Sequence, residues 1–237
     1  MSELKPQGLK KSQILLYGFF GMFLNTFYLM FLAYNRLFYL TNVLQLSTQI
    51  SAVVNTLSVW GNVVTMLLAG AIIEKFTFKS GKFRTWTVIG GIVVGITFTL
   101  LFANFGLSQG VAGALFVVMF VIQSIGYNTL WVAERSLVGP MSTTAADANS
   151  LAMVAQQGST LGGLIYGVVN PFIMKAVGDS YTWTALVYGL FIVVGTIGMF
   201  SLTRNFDNGS EPVVAAQKKE KVKGGFLKAM TGPTIPF

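Results

Sequence analysis

From residue 50 to residue 107 the sequence reads ISAVVNTLSVWGNVVTMLLAGAIIEKFTFKSGKFRTWTVIGGIVVGITFTLLFANFGL. Two apolar runs, Ile50–Ile73 and Trp86–Leu107, flank a short loop that holds Glu74 and the bases Lys75, Lys79, Lys82 and Arg84. Each run reaches the roughly 20 residues that a helix needs to cross about 30 Å of hydrocarbon. The segment therefore predicts a pair of membrane-spanning helices joined by a basic hairpin.

The same pattern extends outward. Gln13–Leu40, Val111–Ala133, Leu151–Met174 and Tyr181–Leu202 are further apolar runs, giving six predicted spans and an all-α integral membrane protein. Over the 237 residues, 53% are apolar and 10% charged, with a mean hydropathy of +0.65. A soluble domain carries about a quarter charged residues, so a soluble enzyme is excluded. The chain has no Cys and no His, which removes thiolate, disulfide and imidazole chemistry, and no metal or cofactor is expected. The first run follows Lys5, Lys10 and Lys11. It is too long for a signal-peptide core, and no A-x-A site follows it, so it reads as a retained span.

Orientation follows from the bases. Three precede the first span, four lie between the second and third, Arg135 follows the fourth, and six follow the sixth. The opposite loops hold Lys175 alone. This positive-inside asymmetry predicts that both termini are cytoplasmic. The predicted plan is a cytoplasmic N-terminus over 1–12, a six-helix bundle over 13–203, and a linker over 204–237 approaching a seventh helix. The basic excess reads as topology in a lipid bilayer, not as affinity for nucleic acid. Asn208-Gly209-Ser210 matches a glycosylation pattern by chance, on the cytoplasmic side.

Polar residues inside spans are costly, so their placement is informative. Ser51, Asn55, Ser58, Asn62 and Thr65 follow helical spacing on one face of the second span. Asn149, Met153, Gln156, Thr160, Gly163, Gly167 and Asn170 do so on the fifth. The fourth aligns Gln123, Tyr127 and Trp131 with Asn128 beside them, and the first aligns Asn25, Tyr28, Leu32 and Arg36. The third and sixth have no such stripe. Spans one, two, four and five are thus expected to line a wet cavity, with three and six facing lipid. The alternative is that these groups merely join helices by hydrogen bonds. Gly91/Gly95, Gly158/Gly162 and Gly163/Gly167 have small-xxx-small spacing for close packing. Arg36 is the one charge expected within a span, either reaching the outer interface or facing the cavity, and no acid is expected inside one.

The hairpin loop also carries Gly70-Ala-Ile-Ile-Glu74-Lys75 followed by Gly81-Lys82-Phe83-Arg84-Thr85-Trp86. This resembles the helix 2–3 motif of the major facilitator superfamily, in the longer G-K-F-R/K-P-W form of the glycoside–pentoside–hexuronide:cation symporters, which include the melibiose permeases. Tyr17-Gly18-Phe19, Phe38-Tyr39-Leu40-Thr41-Asn42-Val43 and Ser136-Leu137-Val138 are also similar to that family. The resemblance covers the N-terminal six-helix half of a fold built from two such halves. It implies a secondary carrier in the plasma (inner) membrane that moves a sugar or glycoside by alternating access. It also implies a conformational loop motif of Gly70, Glu74, Lys75, Gly81, Lys82 and Arg84, in which Gly70 permits tight packing. Glu74-Lys75…Thr85-Trp86-Thr87 and Met174-Lys175…Thr182-Trp183-Thr184 faintly echo an internal repeat.

The departures from the family concern charge. Its two helix 2 acids fall at Asn62 and Met66, beside Thr65, and its helix 1 basic–acidic pair falls at Asn25 and Thr26. Its helix 4 acid falls at Trp131, after a matching Tyr127, and its helix 5 arginine at Gln156. A carboxylate suits Na⁺ or H⁺; with none at these positions, Na⁺ coupling in this half is expected to be weak or absent. The expected substrate-binding set is Asn25, Tyr28, Asn62, Tyr127, Asn128, Trp131 and Gln156. The aromatics offer an apolar face to a sugar ring and the amides offer donors and acceptors to neutral hydroxyls. The other wall of a central site is expected from a second six-helix half, in the same polypeptide or by dimerisation. The rival expectation is a non-transporting sensor or assembly partner that keeps the transporter fold.

Overall fold

The computed structural model describes residues 9–76 and 78–207. Among them are six helical rods: α1 Lys11–Val43, α2 Thr48–Lys75, α3 Lys82–Leu101, α4 Gln109–Met141, α5 Ala145–Ala176 and α6 Tyr181–Leu202. Five are long and apolar enough to cross a membrane; α5, with its polar and glycine-rich face, is the exception. The expected linker beyond residue 207 and the first eight residues lie outside the described residues.

Most boundary corrections have an identifiable cap. Helix α5 begins at Ala145, not Leu151, because Thr144 and Asp147 form a capping box, with Thr144 Oγ1 accepting from Asp147 N at 3.1 Å. Helix α3 begins at Lys82, not Trp86, because the Asp207 carboxylate accepts from the main-chain N–H of Lys82, Phe83 and Arg84 at 2.7–3.0 Å. That cap is supplied from the end of α6. Helix α3 also stops at Leu101, short of Leu107: Phe102 gives its carbonyl to the Thr182 hydroxyl at 2.6 Å, and Gly106 adopts a φ of +65°. Helix α4 does not end at Ala133 but continues to Met141. Rod α6 runs over the expected residues, capped by Ser180.

Helix α1 is the hub. It contains two π-turns, Phe19–Phe23 and Tyr39–Val43. At the first, α5 and α6 come close: a Cβ on Gly158 would lie 2.5 Å from the Gly18 carbonyl, and one on Gly195 would lie 2.7 Å from the Phe20 carbonyl. Helix α3 is wedged between α4 and α6, backbone against backbone, at Gly90 with Gly126 and at Gly95 with Gly189. Helix α3, expected to be able to face lipid, has two sides: its glycine face is interior, and Ile92, Ile96 and Leu100 form its exposed side. Of the small-residue pairs, Gly91/Gly95 and Gly158/Gly162 pack closely. Gly163 is at ordinary contact distance from Met30 and Thr26, and Gly167 and Gly70 have nothing within 4 Å, so the tight packing expected at Gly70 is absent among the described residues.

An aromatic core fills the middle, with Phe31 against Phe102 at 4.9 Å between centroids and Tyr28 against Phe98 at 4.6 Å. A second cluster (Tyr17, Met22, Leu137, Met141, Leu151, Ala155, Met199) joins the start of α1 to α4, α5 and α6.

Candidate functional site

The expected stripes divide when folded. On α2, Ser51, Ser58 and Thr65 are buried, and Ser58 Oγ donates back to the Val54 carbonyl at 2.7 Å. Asn128 of α4 reaches across, its Nδ2 donating to Asn62 Oδ1 at 3.1 Å and Thr65 Oγ1 at 2.9 Å. Asn62 and Thr65 thus join α2 to α4, while Ser58 is satisfied within its own helix. Only the stripe's Asn62 edge opens onto a cleft of about 280 Å³ between α1, α2 and α4.

The cleft is lined by Tyr28, Leu32, Arg36, Asn62, Gln123 and Tyr127, with Ala33, Phe120 and Ser124 among its walls. Its aromatic floor is the Tyr28–Tyr127 pair, 5.3 Å between centroids. The Arg36 guanidinium is half-buried and lies 5.2 Å from the Phe120 ring centroid, so this cation faces the cleft from within. Gln123 Oε1 is buried without a hydrogen-bond partner among the described residues. A cation, an amide and two phenol rings line a space large enough for a small solute, and the orphaned Gln123 acceptor is buried in its wall. Such a set can hydrogen-bond a neutral polyol and stack on its ring; it offers no carboxylate for a metal cation.

The remaining expected residues are elsewhere. Asn25 is buried on α1 and turns toward Glu134 of α4, not into the cleft. Trp131 lies one turn beyond Tyr127, 6.2 Å ring to ring, beneath the Arg135 guanidinium at 4.4 Å. Gln156 is exposed on α5, outside the cleft lining. In the loop motif, Gly81 has a φ of +115° and Arg84 lies over the Phe200 ring at 4.4 Å while its Nε donates to the Ser80 carbonyl. Glu74 and Lys75 are exposed.

Glu134 overturns the expectation that no acid lies within a span. It is fully buried inside α4. The signal was present: it follows Gln123, Tyr127 and Trp131 by intervals of four, four and three, continuing their face beyond the apparent helix end.

A sequence model described as MFS/sugar transport protein matches residues 12–230. The chain belongs to the MFS/sugar transport protein family. Among its relatives, the raffinose carrier protein of Pediococcus pentosaceus is 30% identical over 155 residues, which are 59% of this chain and 24% of the relative. The lactose permease of Lactobacillus delbrueckii subsp. bulgaricus is 26% identical over 153 residues, 60% of this chain and 24% of that protein. The uncharacterized symporter YnaJ of Bacillus subtilis is 24% identical over 191 residues, 79% of this chain and 41% of that protein. The match thus spans about a quarter of the raffinose carrier and of the lactose permease. Family membership together with the apolar rods makes this a multi-pass membrane protein, of a transporter family and not an enzyme family.

Proposed function

We propose that these residues form one wall of a sugar carrier in the plasma membrane. Six spans, α5 included, would place both termini in the cytoplasm, and the α1–α2–α4 cleft would contribute half of a solute site that opens to alternate sides. The observation that carries this is the cleft itself: Arg36, Asn62 and the unpartnered Gln123 Oε1 above the Tyr28–Tyr127 floor. Neutral hydroxyls satisfy amides and an arginine without the cost of burying an ion. The relatives' names point to galactosyl oligosaccharides as the solute class. Asn25, Asn128, Trp131 and Gln156 would act around the cleft, by holding its walls or by facing a second half, and Gly70, Glu74, Lys75, Gly81, Lys82 and Arg84 as the hinge motif.

Uptake of labelled lactose and raffinose by the intact polypeptide in proteoliposomes tests the reading. Gln123→Leu removes one hydrogen bond worth about 1 kcal/mol, so the half-saturating sugar concentration should rise about fivefold. Binding without net flux in the wild type would instead favour a sensor.

A further inference from the structure

Glu134 is sealed where α4 crosses α1. The partner of its carboxylate is a neutral amide: Asn25 Nδ2 lies 3.2 Å from each carboxylate oxygen and donates to the Gly21 carbonyl at 2.7 Å. The other end of that amide, Asn25 Oδ1, is buried with no hydrogen-bond partner among the described residues. An acid and an orphaned acceptor thus stand side by side. Gly21, inside the first π-turn of α1, borders the pair: a Cβ there would make ordinary contacts, 3.6 Å to Met199 Sδ and 4.0 Å to the Glu134 carboxyl carbon.

The groups facing the pair are few. From α1, the Tyr17 hydroxyl donates to the Glu134 main-chain carbonyl at 3.0 Å. From α4 come Tyr127 and Arg135, whose guanidinium lies over the Trp131 ring at 4.4 Å with Nη2 3.7 Å from Met22 Sδ, while its buried Nε has no hydrogen-bond partner among the described residues. Helix α6 contributes the thioether of Met199, and α5 adds Leu151 and Ala155 to the same apolar cluster.

A carboxylate away from water is unfavourable unless its charge is matched, and a buried acceptor without a donor adds a second cost. One proton relieves both. With Glu134 protonated and the Asn25 amide tilted, the carboxyl O–H donates to Asn25 Oδ1 while Asn25 Nδ2 still donates to the other carboxyl oxygen. We propose that Glu134 and Asn25 form a proton-binding site and that solute movement is coupled to its occupancy. The coupling clause rests on the carrier reading; the proton site does not. The proton comes from water on the side to which the α1–α4 contact is open, neutralises the carboxylate, and returns to water on the other side. The cleft is linked to the site by both helices. Tyr28 lies three residues from Asn25 and Tyr127 seven from Glu134, one and two turns away. An acid on α4 would thus supply the coupling group that α2 lacks.

The test uses the intact polypeptide in proteoliposomes. Infrared difference spectra recorded against pH should contain a protonated-carboxyl stretch that shifts in D₂O and vanishes in Glu134→Gln; a spectrum unaltered by that substitution overturns the site. Asn25→Leu keeps the acid but removes its partner, so the pH at which the stretch appears should move, and an unmoved transition overturns the pairing. An inward proton gradient should drive accumulation of labelled lactose or raffinose in the wild type. Glu134→Gln, an isostere of the protonated acid, should retain downhill exchange and lose accumulation; a variant that still accumulates overturns the coupling. A titrating stretch in a wild type that moves neither sugar would support the proton site and overturn the carrier reading, which separates the two.

Discussion

Asn128 and Gln123 stand five residues apart on α4 and do different work. Asn128 spends its Nδ2 on Asn62 and Thr65, tying α4 to α2. Interhelical hydrogen bonds in membranes average about 0.6 kcal/mol each, so Asn128→Leu should cost about 1 kcal/mol and lower the melting temperature in detergent by a few degrees. Gln123 Oε1 has no such partner, so Gln123→Leu should leave melting nearly unchanged and weaken sugar binding instead. Finding the two phenotypes exchanged would reverse the division between wall and site. Tyr28, Asn62 and Tyr127 were legible in the sequence because helical spacing alone places them. The pairing of Asn25 with Glu134 was not, because whether an amide faces a cleft or a carboxylate depends on which helix crosses it. Glu134 was further hidden by Arg135, since two adjacent charges read as a helix end at the interface.

At the scale of elements, helix starts are set by their caps, some supplied by the residues just before them and one from far along the chain. Rod α6 matched because Ser180 is a local signal immediately before it. Helix α3 did not, because its N-terminal donors are held by Asp207, 125 residues downstream of Lys82. Asp207→Asn should therefore destabilise the start of α3 by about 1 kcal/mol, read as faster amide exchange over Lys82–Thr87. Glycine spacing on α5 was equally ambiguous in one dimension, as Gly158/Gly162 and Gly163/Gly167 share a pattern. Only the first pair packs against the main chain of α1; of the second, Gly163 just reaches α1 side chains and Gly167 reaches nothing within 4 Å. A Cβ on Gly158 would lie 2.5 Å from a main-chain oxygen, so Gly158→Ala should lower stability by about 1–3 kcal/mol, whereas Gly167→Ala, with nothing within 4 Å, should be tolerated. Thermal unfolding of the two variants side by side checks this. Equal losses would show that α5 is held by something other than its contact with α1.

For the whole molecule, the question is which exposed surfaces meet water and which meet hydrocarbon. Two kinds of exposed surface are present. One is apolar and continuous, with Ile92 and Ile96 on α3 and Val194 and Ile197 on α6. The other is mixed: Ala33 at the lip of the cleft, and Gln156 and Thr160 along α5. Hydrocarbon offers no partner to an amide or hydroxyl, so the second surface is stable in a bilayer only against water or against more protein. These 237 residues carry no cysteine, which makes single-cysteine labelling within them unambiguous. In proteoliposomes of the intact polypeptide, Ala33→Cys and Gln156→Cys should react with a membrane-impermeant maleimide. Ile96→Cys and Val194→Cys should not. If the cleft closes around solute, saturating sugar should slow the reaction at Ala33→Cys at least severalfold, with Ile96→Cys unreactive throughout. Labelling of Ile96→Cys together with protection of Gln156→Cys would invert the assignment, putting α5 toward lipid and α3 toward water. The cleft between α1, α2 and α4 would then no longer face an aqueous path.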